Sequence, residues 1–307
     1  MILRPKPSLG HHGTLPGATV PAPMTAVPGW LRRAIPDVKD LANKDVEDVA
    51  LVAGAAIGAL DAVVRRQERW AGAWRQRLAL AAAAATVKQA GRVEDESALR
   101  DAVLLTRPGD FLSVGPAGSM LLAWRRLAST PAEKLLTEAS IDAVLDDLGL
   151  RRDDDAVGDL ADDLRQLSAG IGMVGMLTGA FVAAERYGFA RAFGCWLADA
   201  LLAQRLSWAH AVPLLGAVAA LGTSARPRRS AASSLATGIG TDPERAKGLL
   251  AAQARAALAQ SIFPLSSSAA RTGCLRLRQN SGPRRRTWSS KDSCPTTRSS
   301  LRRKSPA

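Results

Sequence analysis

From Asp45 onward, apolar residues recur at three- and four-residue spacing: Val46, Val49, Ala50, Ala53, Ile57, Leu60, Val63 and Val64. That is the buried stripe of one helix. Asp45, Glu47 and Asp48 stand at its start and Arg65 and Arg66 at its end, an order that complements the helix dipole. Gly54 and Gly58 leave room for a second helix to approach. Trp70, Trp74 and Leu78 then follow at four-residue intervals, with the run Ala81–Ala85 behind them and Gly91 as a stop. The break around Arg65–Arg69 predicts that these two helices fold back as a hairpin, with Val49, Ile57, Leu60, Trp74 and Leu78 buried.

The pattern continues in the same register. A third helix is predicted from about Glu94 to before Pro108-Gly109, with Glu96–Arg100 and Ser97–Asp101 as neighbours one turn apart. Gly115-Pro116 opens another through Trp124, and Thr130-Pro131-Ala132-Glu133 has the form of a capping box. Ser140 is expected to cap a short helix that stops at Gly149. Further helices are predicted over ~155–167, ~171–187, ~189–206, ~211–221 and ~242–260, the last opened by Thr241, Pro243 and Glu244. No alternating strand and no fixed repeat stands out. The expected fold class is all-α: an alanine-rich multi-helix bundle or helical array over 41–260. Residues 1–40 read as a flexible Pro/Gly-rich leader and 261–307 as a disordered tail.

Composition supports helix. Hydrophobic residues make up 47% of the 307, but only one Tyr and five Phe accompany seven Trp, so Ala and Leu carry the apolar mass. The stretch Gln166–Ala184 is 19 residues without charge, long enough to span a bilayer. Its glycines, sparse large side chains and missing aromatic belt point instead to a core helix. The net charge of +13 suggests nucleic acid until it is divided along the chain. Residues 1–260 hold 30 Lys+Arg and 27 Asp+Glu, whereas 261–307 hold 11 Lys+Arg and one acid, Asp292. The basicity belongs to the tail, and no groove-reading helix accompanies it, so no specific nucleic-acid partner is expected. The three cysteines, Cys195, Cys274 and Cys294, form no disulfide framework, which suggests a reducing cytoplasm.

Several segments resemble a bacterial family known only as a domain of unknown function, number 1403. They are Gly58-Ala-Leu-Asp61, Arg77-Leu-Ala-Leu80, Leu99-Arg-Asp-Ala-Val-Leu-Leu-Thr-Arg-Pro-Gly-Asp110, Gly115-Pro-Ala-Gly118, Trp124-Arg-Arg126 and Trp196-Leu-Ala-Asp-Ala200. The resemblance covers about residues 45–215 and implies a helical protein of similar length, with no activity attached. The chain departs from the family after Gln260, where alanine nearly vanishes. Permissible codons for Ala270–Ser290, read from their third bases, can spell an alanine-rich string that resembles the family's usual C-terminal helix. The tail therefore reads as out of frame, with a genuine basic tail as the alternative.

Candidate chemistry is sparse. Asp142, Asp146, Asp147, Asp153, Asp154, Asp155, Asp159, Asp162 and Asp163 could offer oxygens to a divalent ion, but the spacing of a metal loop is missing, and a solvated face explains them. Arg100, Asp101, Arg107 and Asp110 are the residues expected to line a polar pocket if the protein has one; ion pairs between helices would use the same residues. His11, His12 and His210 are too few and too scattered for a triad or a zinc site. Trp196 and Trp208 are expected as core or groove anchors. No cofactor or metal ion is implied. The leading expectation is a cytoplasmic scaffold or regulatory protein that binds a protein partner or itself. The alternatives are an enzyme with its site near Arg100–Asp110 and a nucleic-acid-associated protein using the tail.

Overall fold

A computed structural model describes residues 27–36, 40–106, 114–150, 154–170, 172–217 and 242–280, with side chains of the last stretch described to Ile262. Its elements are α1 (Gly29–Ala34), α2 (Val46–Val64), α3 (Ala71–Gln89), α4 (Glu96–Leu104), α5 (Gly115–Ser129), α6 (Glu138–Asp147), α7 (Asp154–Gly170), α8 (Met173–Arg186), α9 (Arg191–Arg205) and α10 (Pro243–Asn280). Among the described residues there is no sheet, only an isolated bridge between Pro131 and His210. The chain divides into two compact units, Met1–Leu265 and Ser266–Ala307. The first is an all-α multi-helix bundle around one continuous apolar core. In the second, 266–280 are helical, so α10 runs past the expected end near residue 260.

Local chemistry sets the helix ends. Asp95 accepts the Ala98 N–H at 2.8 Å and starts α4. Gly91 and Gly149 close α3 and α6 at φ +74° and +66°, each inside the pair of backward hydrogen bonds that satisfies the last carbonyls. The same closure ends α9, but its left-handed residue is Ser207, at φ +53°, with Ser207 N donating to Gln204 O and Trp208 N to Ala203 O.

The expected buried set, Val49, Ile57, Leu60, Trp74 and Leu78, is buried, yet α2 and α3 do not pair along their lengths. Instead α3 lies along α5, α8 along α9, and α5 also meets α4 and α6. The Trp74 indole finds its acceptor in α10, at Gln260 Oε1 (3.2 Å). From Ala246 to Leu258, α10 is buried on nearly every side, as a helix apolar all round requires. Its polar residues are tied to distant parts of the first unit. Lys247 Nζ donates to Lys44 O, Arg255 to Pro36 O, and Arg245 pairs with Glu185.

Other local expectations differ from the structure. Thr130-Pro131-Ala132-Glu133 caps no α-helix; Ala132–Lys134 makes one 3-10 turn, and the Ala132 N–H goes to Ala209 O. Ser140 lies inside α6, whose N-cap position is held by Thr137. The segment ~211–221 has no α-helix over Ala211–Leu214 and only a 3-10 turn at Leu215–Ala217, and 218–221 lie outside the described residues. The uncharged run Gln166–Ala184 is not one helix, because α7 ends at Gly170 and α8 begins at Met173. No helix among the described residues is long and apolar enough to cross a membrane.

Candidate functional site

The deepest polar group of the first unit is Asp199, on α9, with 1% of its surface exposed. Leu197, Ala198, Ala200 and Leu201 around it are all buried, so the helix has no outward face at this point. Its Oδ2 accepts the Leu214 N–H at 2.7 Å and the Leu215 N–H at 3.0 Å. The carboxyl thereby caps the 3-10 turn that replaces the expected helix. Burial pushes its pKa up to about 8, against the pull of the 214–216 backbone donors. The Gln253 amide of α10 also favours the charged form, although neither amide atom settles into a hydrogen bond of ordinary geometry. One turn earlier, the Cys195 thiol is pushed up to about 12 by burial and then by Asp199, and is inert as a nucleophile. This is a sealed joint between α9 and the segment after it.

The surrounding tryptophans serve the same joint. Trp124 Nε1 donates to Thr86 Oγ1 at 2.9 Å, Trp196 Nε1 to Ala123 O at 3.1 Å, and Trp208 Nε1 to Asp61 Oδ1 at 2.7 Å. Three of the segments that carry the family resemblance thus supply these pins: Asp61, Trp124, and Trp196 with Asp199. Their polar atoms are satisfied within the chain.

Of the sequence-predicted site residues, Arg100 and Asp101 are the two that the structure describes. Arg100 and Asp101 are about half exposed and pair with each other at 3.0 Å, as sequence neighbours and without Glu96. Arg107 and Asp110 lie outside the described residues. The acidic run disperses into pairs. Asp147 meets Arg126 at 3.1 Å, Asp163 accepts from Arg186 and the Tyr187 hydroxyl at 3.0 Å each, and Asp162 pairs with Arg165. Among the described residues, no group of three or more His, Cys, Asp or Glu side chains could hold a metal ion. His210 borders an open hollow of about 650 Å³ with Glu133 and Gln204. Burial and then Arg75 hold its imidazole below the usual range. Gln204 Nε2 is engaged with Ala132 O, and Ser207 lines the same hollow.

What the first unit does present is the outer side of α2. Leu51 is 74% exposed, and Gly54, Gly58 and Ala62 are exposed on the same side. Between Asp48 and Asp61 this helix carries no charge. A Cβ built on Gly54 or Gly58 would meet nothing within 4 Å. Glu47 and Arg65, both exposed, bound the stripe at its two ends. On α1, which packs against α2, Trp30 is 55% exposed. Sequence reasoning had Gly54 and Gly58 as a place where another helix could approach closely. It missed Asp199, whose signal was a lone acid in a helix with apolar residues on every side.

A family model described as "Protein of unknown function (DUF1403)" matches residues 18–234. No curated protein and no solved structure matches the chain.

Proposed function

The chain belongs to the DUF1403 family, and we propose that it acts as a helical scaffold or regulatory protein, working by binding another protein surface through the outer side of α2. The supporting observation is the exposure of Leu51 at 74% on a helix side without charge. Solvent-facing helix surfaces are ordinarily polar, and a contiguous apolar side marks a contact surface. Asp199 and Cys195, the groups whose protons burial holds most strongly, are enclosed in the core and hold the fold together. The reduced, buried Cys195 fits work in the cytoplasm.

The test is a photoreactive residue placed at Leu51 in living cells, with Asp155 as the control position. A discrete protein adduct at position 51 and none at 155 is the expected result. Irradiation that yields no adduct at 51 overturns the reading.

A further inference from the structure

We infer that the partner covering α2 is α2 of a second copy of this chain, packed antiparallel across a twofold axis near residue 56; this rests on the partner-binding reading above.

Two features of the helix share one centre. Gly54 and Gly58 are equidistant from residue 56 along the chain, and so are Glu47 and Arg65. All four lie on the exposed side, with Leu51 and Ala62 between them. A twofold axis through that centre brings Gly54 of each copy against Gly58 of the other. It also sets the acidic start of one helix beside the basic end of the other. Arg65 bonds Asp61 and the Leu206 carbonyl of its own chain and, still exposed, stands at the end that the partner's Glu47 approaches, while the two helix dipoles run in opposite directions. A parallel pairing in register would put Glu47 against Glu47 and Arg65 against Arg65, so the charge order selects the antiparallel arrangement.

The glycines have no explanation inside the chain. A helix interior disfavours glycine, and here the space beside each α-carbon is open to 4 Å. Among the described residues, α2 alone carries two such glycines one turn apart within a helix. Their absence of side chains lets two backbones approach closely. Leu51, mostly exposed in the single chain, then has a surface to be buried against. Trp30 on α1 is an aromatic of the type that dominates contact energies.

The mass of the purified full-length protein by light scattering across a dilution series is the first measurement, against a chain mass of 32.2 kDa. A dimer is expected. Gly58→Leu has room within its own chain, so its melting curve should be kept while its dimer dissociation constant rises at least about thirtyfold, as for loss of a central contact. The second measurement mixes Gly54→Cys and Gly58→Cys chains, both also carrying Cys274→Ser and Cys294→Ser, under oxidation. The 54–58 cross-linked heterodimer should form faster than either like pair. A protein that stays monomeric, a dimer unaffected by Gly58→Leu, or equal rates for all three pairs overturns the inference. An adduct at position 51 with the mass of a different protein overturns self-pairing and leaves partner binding intact. No adduct at all removes both.

Discussion

Helices α9 and α2 are both apolar around most of their circumference, and the fold treats them oppositely. From Phe193 to Ala203 every residue of α9 is buried. On α2, Leu51, Gly54, Gly58 and Ala62 stay in solvent while Val49, Ala53, Ile57 and Leu60 fill the core. The glycines record the difference. A Cβ on Gly194 would stand 2.7 Å from the Phe181 ring, whereas one on Gly54 would meet nothing. A glycine in α9 is required by its neighbours in the chain, and one in α2 is not. Apolar character around a whole helix therefore signals that it will be covered, without saying whether the cover comes from the same chain.

Substitutions can break this contrast. The largest effect is expected at Asp199→Ala, which leaves the Leu214 and Leu215 N–H groups buried and unpaired and should cost about 2–5 kcal/mol in urea unfolding. Asp199→Asn keeps an acceptor for both and should cost less. It should also change the pH profile. With its folded pKa near 8 and an unfolded value of about 3.9, the carboxyl gives stability that is full below about pH 4. That stability is lost as the pH rises towards 8, because only the unfolded chain ionises. Asp199→Asn should flatten this decline, and an unchanged slope would move the titration elsewhere.

Gly194→Ala should destabilise by about 1–3 kcal/mol through overpacking against Phe181. Gly54→Ala, measured in a Leu51→Glu background to suppress association, should stabilise by about 0.5–1 kcal/mol. The same substitution carries opposite signs in the two helices, and equal signs would erase the distinction drawn here. A smaller effect is expected at Ser207→Gly, which relieves a left-handed non-glycine residue at φ +53° and should add about 1 kcal/mol or less to the unfolding free energy.

Much of the element order was legible because helix period, glycine stops and a charged N-cap act within a few residues. Gly91, Gly149 and Asp95 all work locally, and each ends or starts a helix where the chain alone predicts. The α2–α3 hairpin failed because pairing is decided by competition. Helix α3 pairs with α5 instead, and Gln260 of α10 reaches Trp74 across 186 positions. The helix expected over ~211–221 failed for a similar reason, since Asp199 takes the Leu214 and Leu215 donors that a helix would have used differently. Of the candidate site, Arg100 and Asp101 are described, and Arg107 and Asp110 lie outside the described residues. Spacing placed Arg100 and Asp101 near one another, and they pair with each other half exposed; whether a segment forms a concave site depends on distant parts of the chain, which spacing does not report.

The placement of α10 has a consequence for how the chain comes to be folded during synthesis. Its hydrogen bonds return to Pro36, Lys44 and Trp74, spanning 219, 203 and 186 positions. The faces of the early helices that it covers stay wet until residues near 260 have left the ribosome. Contacts so distant along the chain form slowly, and the half-made bundle displays its alanine and leucine surfaces meanwhile. Completion is thus a late, concerted event, and a chain stopped before α10 would be a client for chaperones and proteases instead of a smaller folded domain.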